Sequence, residues 1–224
     1  MRYLLLACTF LLASSATLAV EQSVRPGIND HYADPDFDIW VSRFESEGRE
    51  VYDRRQEILN ALNLQPGMVV ADIGAGTGLF TRLFSTAVGS TGRVYAVDIS
   101  QVFVDNILRL SHAQGQSNVV GVVNSPKQSG LQTNSVDLIF LCDTYHHFEF
   151  PQAMLSSMRQ ALRDKGRLVV IDYHKIAGIS SNWVVDHVRL NQTQVIEEIE
   201  SAGFEMSREE NFLKQNYYLE FIKK

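Results

Sequence analysis

Two short stretches carry the residue types that do chemistry. The first is Asp72-Ile73-Gly74-Ala75-Gly76-Thr77-Gly78. Glycines at alternate positions let a backbone turn through left-handed conformations and let a ligand approach it closely. The carboxylate two residues before the first glycine suits a cationic amine. An anionic pyrophosphate needs no such group, and a dinucleotide loop of the G-x-G-x-x-G type would place a small residue where Leu79 stands. Asp98 follows twenty residues beyond Gly78. An acidic residue at that distance, closing the next strand, accepts hydrogen bonds from ribose hydroxyls. The competing role for Asp98 is a helix N-cap, for which Ser100 is also placed.

The second stretch is Cys142-Asp143-Thr144-Tyr145-His146-His147-Phe148. Imidazole titrates near neutrality, so His146 or His147 is a candidate general base, with Asp143 to orient it. Adjacent histidines also serve as caps and packing groups, one ring inward and one outward. Cys142, Asp143, His146, His147 and His174 together have donors that suit zinc or copper. Residues 142 and 143 point to opposite sides of a strand end, however, and His174 belongs to another strand, so no metal is assigned.

Both stretches need strand ends to hold them. Residues 68–72, 92–98, 118–123, 136–141 and 167–172 read as buried strands, alternating with helices through residue 88, over 102–114, 151–162 and 193–202. Residues 163–166 read as a turn. Residues 204–210 and 217–222 read as two closing strands. This alternation predicts an α/β doubly wound, Rossmann-like domain with a mostly parallel sheet of seven strands. In such sheets ligands bind beyond the carboxyl ends of the strands. Ahead of it, apolar residues recur at helical spacing from Phe37 to Leu62, with Gly48 dividing the run. Its polar face offers Arg43/Glu47 and Glu45/Arg49 as i,i+4 pairs. Tyr32, Trp40, Arg43 and Tyr52 are candidates for a substrate wall, and His31 with Asn29-Asp30 precedes them.

The segments Val69–Gly78, Val94–Asp98, Ser135–Phe140 and Leu162–Leu168 resemble the successive motifs of class I S-adenosylmethionine (SAM)-dependent methyltransferases. The likeness covers residues 60–175 and is greatest to the small-molecule branch that includes ubiquinone/menaquinone methyltransferases. It implies a C-terminal antiparallel hairpin, N-terminal cover helices over the cleft, and SAM as cofactor. It also implies roles: Asp72 and the loop backbone at Gly74 and Gly76 for the methionine moiety, Asp98 for the ribose, and Ile99 against the adenine. Ala75, Gly78 and Cys142 join the same cofactor wall. The family commonly has an acid after the third strand for the adenine amino group. Here the segment reads Asn124-Ser125-Pro126-Lys127, and the Asn124 side-chain oxygen is the substitute. The function implied is methyl transfer to a small-molecule acceptor, with S-adenosylhomocysteine (SAH) as product. A non-catalytic SAM or nucleoside sensor and a nicotinamide-dependent oxidoreductase are the alternatives.

Composition sets the outer bounds. With 20 basic and 26 acidic residues among 224, the formal net charge is −6, which gives no electrostatic footprint for nucleic acid. Residues 1–19 run from a basic start through an apolar middle to Thr17-Leu18-Ala19, the pattern of an export signal cut after Ala19. An uncleaved membrane anchor is the other reading. Cleavage removes Cys8 and leaves Cys142 without an intrachain partner. The expected organisation is therefore 1–19 signal peptide, 20–65 lead-in and cover helices, and 66–224 methyltransferase domain, in a periplasmic or secreted protein.

Overall fold

The computed structural model describes residues 21–224. The expected export signal lies outside the described residues. Among those described, no helix is long and apolar enough to cross a membrane.

Five parallel strands form first in the chain: β1 (Val69–Ile73), β2 (Arg93–Asp98), β3 (Val119–Val123), β4 (Val136–Cys142) and β5 (Leu162–Tyr173). Two more, β6 (Phe204–Glu210) and β7 (Asn216–Lys223), add an antiparallel hairpin against β5. The order across the seven-stranded sheet is β3-β2-β1-β4-β5-β7-β6. The direction of winding reverses between β1 and β4, which opens a crevice at their carboxyl ends.

Alternation along the central strands sends side chains into two cores, one on each face. On β4, Leu138 and Phe140 face one way, with Ile58 and Leu62 of α3 (Arg55–Leu62) and Phe84 of α4 (Leu79–Val88) in the same cluster. Ile139 and Leu141 face the other, with Leu155 and Met158 of the helix Pro151–Ala161 and Ile199 of the helix Gln192–Ser201. The Phe80, Phe84 and Phe140 rings sit 4.9–5.8 Å apart and lock α4 to the sheet.

The cover before β1 is α1 (Phe37–Phe44), α2 (Glu50–Asp53) and α3. The Asp36 carboxylate caps α1 by accepting from the Asp38 and Ile39 amides. Gly48, at φ +91°, separates α1 from α2 as expected. The helical run has three pieces rather than two, because it breaks again at Arg54.

The expected i,i+4 ion pairs are replaced by tertiary ones. The Arg82 guanidinium on α4 donates to both Glu45 carboxylate oxygens at 2.8 Å, and Arg49 pairs with Asp143 at 2.6 Å. Arg43 lies over the Trp40 ring. Both ion pairs strap the cover to the domain beneath it. Residues 163–166 also differ from expectation: the strand absorbs them as a bulge. Leu162 pairs with Val136 and Arg167 with Leu138, and Lys165 takes φ +63° to accommodate the extra residues.

Candidate active site

The crevice is a cavity of about 930 Å³, roofed by α1 and the lead-in and floored by the ends of β1, β2 and β4. Its floor is set by the glycine turn. Gly74, Gly76 and Gly78 have φ of +70°, +56° and +78°. A Cβ on Gly74 would stand 2.3 Å from the Thr144 methyl, and one on Gly78 would stand 2.8 Å from Ile107.

The two carboxylates meet across this turn. Asp98 Oδ2 accepts from the Gly76 amide at 2.8 Å, and its Oδ1 accepts from the Ser100 amide at 2.9 Å. Each oxygen keeps a second lone pair. Ser100, not Asp98, occupies the N-cap position of α5 (Gln101–Ala113). Asp72 Oδ2 accepts from the Thr81 hydroxyl at 2.6 Å. Burial pushes the Asp72 carboxyl up to about 7, against the Thr81 hydrogen bond and with the help of Asp98; burial pushes Asp98 up to about 6. These are buried acids poised near neutrality, where a cation would hold them ionised.

Asp72, Gly74, Ala75, Gly76, Asp98, Ile99, Asn124 and Cys142 all line the cavity. Asn124 Oδ1 is buried without a partner, an acceptor suited to an adenine amino group. Burial also pushes the Cys142 thiol up, so it is a neutral wall. Gly78 does not line the cavity. It turns the chain into α4 and packs on Ile107, so its role is to shape the loop rather than to touch a ligand. The Gly74 amide is bonded to the Val97 carbonyl and the Gly76 amide to Asp98.

At the other end of the cavity, Tyr145–His147 forms a single 3-10 turn directly after β4. His146 is buried, and its Nδ1 donates to Asp172 Oδ1 at 2.8 Å. A carboxylate only accepts, so a proton sits on Nδ1, and a neutral ring held this way carries its lone pair at Nε2. His147 lies beside it, ring centroids 4.3 Å apart. Burial, then His146 and His187, drive the His147 pKa down to about 2, so its ring is neutral.

The group that orients His146 is Asp172, not Asp143. Asp143, at φ +50°, is turned toward the cover; Arg49 from the cover and Asn216 Nδ2 from β7 each donate to it at 2.6 Å. Of the candidate wall residues, Tyr32, Trp40 and Arg43 line the cavity, and so does His31. Tyr52 does not; the Arg55 guanidinium covers its ring. His174 packs on Tyr217 away from the cleft. Two residues of this arrangement, Asp172 behind the wall and His187 in it, were not singled out from sequence. Asp172, the penultimate residue of β5, directly precedes a Tyr-His-Lys run. His187 closes the short helix α7 (Asn182–His187 in the chain's order after Pro151–Ala161, α6), whose start is signalled by the Ser181 cap on Val184.

The sheet order, the glycine turn and the antiparallel hairpin define a Rossmann-like fold that solved methyltransferases share. Residues 71–170 match the family model described as a methyltransferase domain. The ubiquinone/menaquinone biosynthesis C-methyltransferase of Burkholderia vietnamiensis (strain G4) is 30% identical over 121 residues, 51% of this chain and 46% of that protein. The chain spans about half the length of the curated relatives it matches. A SAM dependent methyltransferase from Aquifex aeolicus superposes with a TM-score of 0.74 at 24% identity, over 84% of this chain and 98% of that one. Magnesium protoporphyrin IX methyltransferase from Synechocystis PCC 6803, with bound SAH, superposes with a TM-score of 0.64 at 18% identity, over 88% of this chain and 98% of that one.

Proposed function

We propose that this protein transfers a methyl group from SAM to a small-molecule acceptor and releases SAH. The observation that carries the reading is the pairing of Asp72 and Asp98 around the glycine turn, inside a cavity that also holds the unpartnered Asn124 oxygen. Asp72 answers the ammonium of the methionine moiety, Asp98 the ribose hydroxyls, and Asn124 with Ile99 the adenine. The match of residues 71–170 to a methyltransferase domain supports the same assignment.

Bound SAM would supply a methyl carbon on a positively charged sulfur. The protein's own part is alignment and exclusion of water. The cover does this with Tyr32, Trp40 and Phe44, whose rings form a continuous aromatic roof, Tyr32 to Trp40 at 4.9 Å and Trp40 to Phe44 at 5.0 Å. The acceptor belongs at the histidine wall. There His146, oriented by Asp172, offers its Nε2 lone pair to an acceptor's hydrogen. Calorimetric titration with SAM and SAH tests the reading. Binding of both is expected, and no binding by either would sink it; binding with no turnover across an acceptor panel would instead mark a sensor.

Residues 1–19 support export of the mature chain from Val20 onward. Mass spectrometry of the N-terminus of the protein expressed in its host tests this: the expected mass begins at Val20, and an intact Met1 would overturn it.

A further inference from the structure

His146 and His147 share the acceptor wall with a third imidazole. His187, at the end of α7, brings its ring centroid to 5.2 Å from each of theirs. One ring nitrogen from each of the three lies within 4.8 Å of the other two. Two nitrogens in this cluster are buried without a hydrogen-bond partner, Nε2 of His146 and Nδ1 of His147. Buried polar atoms are nearly always satisfied, so two orphans on adjacent rings of residues that line one cavity call for a ligand.

We propose that His146, His147 and His187 form a binding site for a divalent transition metal, zinc by preference, at the acceptor end of the cavity. The donor set decides the class of ion. Three imidazoles suit zinc and its neighbours in the transition series, whereas magnesium and calcium demand oxygen ligands. Three protein nitrogens with the fourth position open is the arrangement of zinc sites that bind an exchangeable molecule, as opposed to closed structural sites.

The surroundings are built for ligation. Asp172 takes the Nδ1 proton of His146 at 2.8 Å and so fixes Nε2 as the ligating atom, the carboxylate–histidine–metal relay found around zinc. The His147 backbone is held by Asn29, whose Nδ2 donates to its carbonyl at 3.1 Å. The Trp183 ring stacks on His187 at 4.5 Å, and Arg25 donates to the His187 carbonyl, anchoring the end of α7. Zinc–nitrogen bonds of ~2.0 Å in tetrahedral geometry need the three nitrogens somewhat closer together than 4.8 Å. The segment bearing His187 is where that adjustment falls, since its neighbours Ile179 and Trp183 are exposed.

The open position faces the space that the proposed function gives to the acceptor, which fits an acceptor atom that coordinates zinc, such as a hydroxyl oxygen or a thiol sulfur. An ion there takes the Nε2 lone pair that the metal-free site offers to an acceptor's hydrogen. This last placement rests on the methyltransferase reading; the metal site itself does not.

The test uses the untagged full chain, stripped with EDTA and dialysed. Zinc is titrated by calorimetry and cobalt(II) by visible absorption. One equivalent of each is expected to bind, with tetrahedral cobalt bands and no sulfur-to-cobalt charge transfer. His187→Ala and His146→Ala should each weaken zinc at least tenfold, and Asp172→Asn should weaken it by roughly 10–100-fold through the relay. Absence of stoichiometric binding, an unchanged affinity in His187→Ala, or a thiolate band from Cys142 would overturn the site. SAH titrations run in parallel on each variant report folding and the cofactor end separately. Zinc binding by the unsubstituted chain with no SAH binding would fell the methyltransferase reading alone.

Discussion

His146 Nδ1 and Asp172 Oδ1 lie 2.8 Å apart, with both side chains buried. Asp172 is the penultimate residue of β5, and His146 sits in the turn after β4, so the pair ties two neighbouring strand ends. The same carboxylate accepts from the backbone amides of His146 and Tyr173. Asp172→Asn leaves the volume unchanged but removes the obligate acceptor. The expected outcome is a change of His146 tautomer, read as a shift in its ring nitrogen resonances by NMR. A stability loss of about 1–3 kcal/mol in urea should accompany it. An unchanged His146 spectrum would show that the carboxylate does not set the ring.

Arg49 and Asp143 form the second such tie, between the cover and the end of β4, at 2.6 Å. The side chains are 21% and 9% exposed, so removing one partner strands the other away from water. Arg49→Ala should cost about 3 kcal/mol in chemical denaturation and expose residues 37–62 to limited proteolysis. Arg49→Ala with Asp143→Asn should recover most of that loss. Equal destabilisation in single and double variants would mean that the strap acts by packing alone.

How much of this was readable beforehand follows from the range of the forces involved. Strand and helix periods are local, so the seven strands and the carboxylates at the ends of β1 and β2 were legible, while the antiparallel pairing of the last two strands came from the family resemblance. The pairings of charged groups were not. Glu45 and Arg49 stand at ideal helical spacing, yet α1 stops at Phe44 and each finds a partner dozens of residues away. Asp143 was the nearest acid to the histidines in sequence, but its left-handed backbone turns it toward Arg49 and leaves Asp172 to hold His146. His187 is brought to His146 and His147 by the return of the chain after β5, which no local pattern encodes.

Gly74 and Thr144 are in contact across the β1–β4 switch point, and the glycine is required there on two counts. Its φ is +70°, and an added Cβ would stand 2.3 Å from the Thr144 methyl. Gly74→Ala should therefore lower stability by roughly 2 kcal/mol or more and weaken SAH binding. Thr144→Ala alone should be tolerated. The combination should recover the steric share but not the backbone share, leaving about 1 kcal/mol of loss in urea titrations. Full recovery would show that the left-handed backbone carries no cost.

Asp72 and Asp98 give the cofactor end a pH dependence of definite sign. Burial holds their carboxyls near about 7 and about 6 in the empty protein. Both lie above the ordinary carboxylate value of about 4, so the stabilisation of the empty fold that they provide as neutral acids is complete below about pH 4 and is lost as pH rises through 6 to 7. Cation binding runs the other way, because only the ionised carboxylates attract the ammonium of SAM. Affinity for SAM should rise roughly 25-fold between pH 5.5 and pH 7.5, as expected for ionising one group of pKa near 7. The thermal stabilisation that SAM confers should grow over the same range. Asp72→Asn should weaken binding at pH 7.5 and flatten most of the profile. Calorimetry at the two pH values decides the matter: an affinity that does not change, or that tightens at pH 5.5, would remove Asp72 from contact with the cation.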